Sequence, residues 1–170
     1  MTDRRTEIIA NLEINLNNST SFFRSLSYDQ LSVQVYTDGA KWTVKQVLAH
    51  FITIERSMHW LFKDILAGGS GSPDDFDVDR FNLTQPKKLD ELTVEELIEQ
   101  FKSVREDTIV IVKGMTESDF NREGTHAFHG HGKLERFIIW AYEHVLIHED
   151  DIRKALRIKS SELMMSTKKF

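Results

Sequence analysis

The sequence predicts an all-α protein folded as a four-helix bundle, with a long loop between the second and third helices. Three observations carry this prediction. Four segments of about 20 residues each repeat apolar positions at alternating steps of three and four, the period of an amphipathic helix. Helix-start signatures stand immediately before two of them. Glycine and proline number only 8 and 2 in 170 residues, too few to punctuate many short strands.

The first stripe is Ile9, Leu12, Leu16, Phe23 and Leu26, with Ser19 in its one polar slot. Ser27 and Gln30 have capping-box spacing and predict a short helix at about 28–34. Thr43 and Gln46 repeat the box, Trp42 and Val47 occupy staple positions, and the stripe runs Val44, Val47, Phe51, Ile54, Met58, Leu61, Ile65. Gly68, Gly69 and Gly71 end that helix. The segment 68–92 then reads as a loop without periodicity, of a length usually reserved for function or motion. Thr93 with Glu96, and Leu92 with Leu97, open the third long helix, whose stripe is Leu97, Phe101, Val104, Thr108, Ile111 and Met115. The fourth is Leu134, Ile138, Ala141, Val145, His148, Ile152 and Ala155. No internal repeat appears, and one domain spanning 1–170 is the simplest division.

Composition narrows the function. A net charge of −5 predicts no nucleic-acid partner, since nothing supplies a basic track for phosphates. Cysteine is absent, which removes disulfides, thiolate ligands and a cysteine nucleophile, and fits a reducing cytoplasm. The N-terminal stretch lacks a signal-peptide apolar core, and no apolar run reaches the roughly 20 residues that span a bilayer. A cytoplasmic protein with no membrane partner is expected.

Against this plain background stands "YEHVLIHEDD" at 142–151. His144 and His148 are one helical turn apart, roughly 6 Å between Cβ atoms, close enough for both rings to reach one ion. An isolated pair of this kind is more often inert. His148, however, occupies the apolar seam itself, where a lone imidazole needs a partner. His144 shares a face with Phe137 and Ala141, and His50 lies beside Val47, Phe51 and Ile54 on the second long helix. Three inward histidines from two helices make a candidate metal site, because bundle cores are where facing helices assemble such sites. Three nitrogen ligands would leave a position open for water or substrate.

The tract "THAFHGHGKL" adds His126, His129 and His131 before the last helix; His-rich tracts can bind metal, and surface loops also hold histidines without function. His59 reads as a rim residue. Other chemistries lack their residues. "GGSGSP" opens onto Asp74 and Asp75 rather than a lysine and a helix, and no G-x-S-x-G elbow exists. Glu13, Glu55 and Glu143 have no histidine three positions later, so the di-iron carboxylate pattern is missing. The three tryptophans read as core and rim packing.

"KWTVKQVLAHFITIERSMHWLFKDIL", "FDVDRFN" and "THAFHGHGKLERFIIWAYEHVLIHEDDIRKAL", in that order over about residues 40–157, together resemble the DinB/YfiT-like superfamily. The resemblance implies a four-helix bundle holding a divalent ion by one histidine of the second helix and two of the last, which map onto His50, His144 and His148. It also implies a dimer and a small-molecule substrate. Family activities include low-molecular-weight-thiol-dependent transfer, maleylpyruvate isomerisation and hydrolysis. By the same resemblance Asp79, Arg80 and Asn82 become candidates near the site; His129 and His131 are candidates from the His-rich tract instead. Many relatives carry Gln three residues after the final histidine, where this chain has Asp151; that carboxylate either orients a ligand or faces solvent.

The expectation is thus a hydrolase or a thiol-dependent transferase acting through a three-histidine site. The ion would be zinc, nickel or iron, which three nitrogens do not distinguish. Without cysteine, any thiol would be a cosubstrate. The alternatives are a non-catalytic small-molecule or metal-binding bundle, and a metal-free stress-response bundle. Imidazoles with a reference pKa near 6.5 predict that metal affinity falls in acid.

Overall fold

The computed structural model describes residues 3–167, and its frame is the expected all-α bundle. In chain order the elements are α1 (Arg4–Arg24), α2 (Tyr28–Leu31), α3 (Val44–Leu66), α4 (Val78–Thr84), α5 (Val94–Lys113), β1 (Glu123–His126), β2 (Gly130–Lys133) and α6 (Leu134–Thr167). Short 3-10 turns occupy Pro86–Leu89 and Asp119–Asn121. All three capping boxes form, each Ser or Thr side chain accepting from the N3 amide while the Gln or Glu side chain returns to the cap. Asp3 caps α1 by accepting from the Thr6 amide at 2.9 Å.

The four stripes meet in one interior with two centres. Toward one end pack Leu12, Phe62, Ile65, Val112, Phe120 and Ile138. Toward the other pack Phe23, Phe51, Phe101, Val145 and Ile152, with Trp42 closing that side. Between them lies a charged residue, Arg105, with no exposed surface. Its Nε and Nη2 donate to the two oxygens of Glu55 at 2.7 and 3.1 Å. Nη1 donates to Asn15 Oδ1 and the Leu12 carbonyl, and Nη2 also to the Ala141 carbonyl. Glu55 further accepts from Thr108 at 2.6 Å. One guanidinium therefore joins α1, α3, α5 and α6, with its polar surface matched as burial of a charge requires.

Four features differ from the sequence reading. The segment 68–92 is not an irregular loop: Asp77 accepts from the Arg80 amide at 2.8 Å and starts α4, and Pro86 begins the turn after it. Seven residues hold barely two turns, too few for a period to show. The tract 123–133 is not a bare loop but a hairpin, Glu123 opposite Lys133 and His126 opposite Gly130. The capped helix after Ser27 ends at Leu31 rather than near residue 34. Finally, α6 continues past the end of its apolar stripe to Thr167, with residues 157–167 exposed; no Gly or Pro interrupts its Lys, Glu, Leu and Met side chains. Among the described residues no helix is long and apolar enough to cross a membrane.

Candidate metal centre

Helix α3 supplies His50 between the core residues Ala49 and Phe51, and α6 supplies His144 and His148 one turn apart. Their rings converge. The Nε2 of His144 lies 3.1 Å from Nε2 of His50 and 3.0 Å from Nε2 of His148. Two imidazole nitrogens bound to one ion at about 2.0–2.1 Å stand roughly 2.9–3.4 Å apart for angles between octahedral and tetrahedral. The observed spacings fall in that range. Among the described residues these three form the one group of histidines and carboxylates with ligand atoms close enough to share an ion, all within 4.8 Å of each other.

The surroundings orient two of the three rings. Trp42 stacks on His50, centroids 4.2 Å apart and planes 26° from parallel, and holds the buried ring flat against the core wall. The Nδ1 of His148 meets the hydroxyl of Tyr36, and that hydroxyl donates to Asp151 Oδ2 at 2.9 Å. With the phenol proton directed at the carboxylate, His148 Nδ1–H donates to the phenol oxygen. The lone pair of His148 is then left on Nε2, facing the cluster. Relays of this kind orient metal-binding imidazoles. Burial, and then the bond to Asp151, push the Tyr36 phenol up, so it keeps its proton.

Charge follows burial as well. Desolvation, and then the neighbouring histidines, hold His144 down at about 3 and His50 well below its ordinary value. Desolvation holds His148 down at about 4, against the opposing pull of Asp151. All three rings are neutral at pH 7, the protonation state that ligands a cation. The donor set, its spacing and its charge state fit a divalent ion.

Beside His148 a cavity of about 700 Å³ opens to solvent, lined among others by Tyr36, Trp42, Asp79, Arg80 and Asn82. The three loop candidates from the sequence thus stand on α4 and line the same cavity as the last histidine. Asn82 Oδ1 is buried there without a hydrogen-bond partner. His129 is set apart from the cluster: it meets Trp140 edge-on, centroids 4.5 Å apart, and Trp140 in turn packs on His144. His131 lies on exposed β2 with its ring toward Glu123 at 3.4 Å and takes no part in the three-histidine cluster. His126, the last residue of β1, is buried. His59 bonds Thr108 at 2.8 Å on the rim of the Arg105 network.

Sequence reasoning passed over Tyr36 and Arg105. Tyr36 sits in an arch held by the Val35 amide on the Trp42 carbonyl and the Val44 amide on the Val33 carbonyl, a contact no local pattern announces. Arg105 did leave a signal. It stands four residues after Phe101 and three before Thr108, on the buried face of α5, where a lone cation demands a partner.

A helical bundle with three neutral imidazoles meeting at the end of a cleft defines a class of protein equipped to hold one divalent cation. A family model described as the DinB superfamily matches residues 11–151, from α1 through the two late histidines to Asp151. The chain belongs to the DinB superfamily. No curated protein matches it.

Proposed function

We propose that the protein is a mononuclear metal-dependent enzyme acting on a small molecule, as a hydrolase or as a transferase using a low-molecular-weight thiol. The observation that carries this reading is the meeting of three imidazole Nε2 atoms, 3.0 and 3.1 Å apart about His144, beside an open cavity. His50, His144 and His148 hold the ion, whose identity among zinc, nickel and iron the nitrogen set leaves open. When bound, such an ion supplies Lewis acidity and lowers the pKa of a coordinated water or thiol.

The remaining roles fall to the chain itself. Tyr36 and Asp151 orient His148, Trp42 keeps the His50 ring in place, and Arg80 with Asn82 offers donors and an acceptor to a substrate in the cavity. The missing cysteine means that a thiol nucleophile has to arrive with the cosubstrate.

The test is metal stoichiometry by mass spectrometry after purification without chelators, followed by turnover assays on ester, amide and thiol-plus-electrophile panels. About one ion per chain, lost in His148→Ala together with turnover, is expected. Wild-type protein with no more metal than His148→Ala overturns the reading. Full metal with no turnover on any panel leaves a metal-binding bundle without catalysis.

A further inference from the structure

A second set of residues, outside the metal cluster, carries its own chemistry. Nδ1 of His126 accepts from the backbone amides of Phe128 at 3.0 Å and His129 at 3.2 Å. A ring nitrogen that accepts from two amides cannot carry a proton, so the proton of this imidazole is on Nε2. Among the described residues Nε2 has no hydrogen-bond partner. The ring is 7 % exposed, packed against Phe137 at 5.1 Å between centroids.

That ring lines a slot between α3 and the hairpin, with Ile54, Met58, Leu61, Phe76 and Phe128 among its other walls. The slot holds about 80 Å³. Among the described residues no charged side chain lines it. It therefore offers a short, mainly apolar space whose polar groups are all neutral: the His126 ring, the Ser57 and Ser72 hydroxyls, of which Ser57 already donates to the Ile54 carbonyl, and the Trp60 indole.

We propose that this slot is a second ligand site, taking a small neutral molecule or substituent whose carbonyl or ester oxygen accepts from His126 Nε2–H while its carbon chain fills the apolar walls. A charged ligand would enter without a counter-charge, and a pure hydrocarbon would leave the donor dry. Burial, and then His129 and Arg136, hold the imidazole down at about 4, so the donor is the neutral ring across the physiological range. None of these walls belongs to the three-histidine cluster, and the proposal stands whether or not that cluster binds metal.

The experiment is imidazole ¹H–¹⁵N NMR on the full chain, titrated with butan-2-one and with 2-methylbut-1-ene, which has CH₂ in place of the carbonyl oxygen. His126→Phe assigns the signal. Butan-2-one is expected to shift the His126 Nε2–H resonance saturably, and to bind about fivefold to tenfold tighter than the alkene, the worth of one net hydrogen bond. Ser57→Leu, which narrows the slot from α3 and leaves the ring intact, is expected to abolish the shift. The same results are expected in EDTA, which separates this site from the metal reading. No saturable shift, equal affinity for ketone and alkene, or an undiminished response in a folded Ser57→Leu overturns the proposal. Should Ser57→Leu not fold, the ketone–alkene comparison in the wild type decides alone.

Discussion

The Tyr36 hydroxyl is hydrogen-bonded to Nδ1 of His148, although 112 residues separate them in the chain. Asp151 completes the relay by accepting from the same hydroxyl at 2.9 Å. The Asp151 carboxylate therefore acts on the His148 ring through a phenol from another part of the fold.

Tyr36→Phe removes the acceptor for His148 Nδ1–H, and Asp151→Asn weakens the charge behind it. Either substitution is expected to lower metal affinity about tenfold to a hundredfold with little loss of stability. Competition against a chromophoric chelator measures the affinity, and urea unfolding checks the stability. Affinities within twofold of wild type would remove the relay from the account.

The pH dependence differs from what free imidazoles give. His144 titrates at about 3, His148 at about 4 and His50 well below 6.5, each lowered first by burial. A lowered histidine pKa means that the unfolded chain binds the proton more readily. The stability these rings contribute is complete above about 6.5 and drains away as pH falls through the folded values. The urea midpoint of chelator-treated protein is expected to hold from pH 8 to 6.5 and then to decline toward pH 4. Metal affinity, which needs neutral rings, is expected to stay nearly level from pH 7 to 5, below the window expected from sequence. A fall centred at 6.5 would show the rings to be solvated.

The Arg105–Glu55 pair is sealed from water, so removing one partner strands the other. Arg105→Met or Glu55→Ala is expected to cost about 3–5 kcal/mol in urea unfolding. The double substitution Glu55→Leu with Arg105→Met is expected to cost less than the two single effects added, since no charge is then left unpaired. Strict additivity would contradict the coupling.

Gly71 ties the 68–78 segment to the hairpin. Its φ is +92°, and a Cβ there would fall 2.4 Å from the Thr125 carbonyl oxygen and 2.7 Å from the Thr125 nitrogen. Gly71→Ala is expected to cost roughly 1–3 kcal/mol. It should also speed exchange of the Ser72 and Thr125 amides, which now bond the Thr125 and Ser70 carbonyls. Unchanged exchange would show that the segment does not depend on this contact.

These cases mark how far the sequence could be read. The long helices were legible because each repeats its apolar period four or more times, and α3 and α5 also sign their starts with capping boxes. His148 was legible because an imidazole stood in the apolar seam itself, and His50 and His144 because they lay on the inward faces beside such seams. Tyr36 was not, because its place depends on an arch pairing residues 33–35 with 42–44, and nothing in "VQVYTDGA" specifies what that arch faces. The four-residue strands and seven-residue α4 lay below the length at which a period can be counted. Arg105 stood in view, yet its partner Glu55 was weighed as a metal ligand rather than as a counter-ion.

The most direct test of the central claim is the anomalous-difference map of a crystal grown with the purified, metal-replete protein. One peak is expected, bonded at about 2.0–2.1 Å to Nε2 of His50, His144 and His148 together. A map with no peak among the three rings, or rings turned so that no single atom touches all of them, would contradict it.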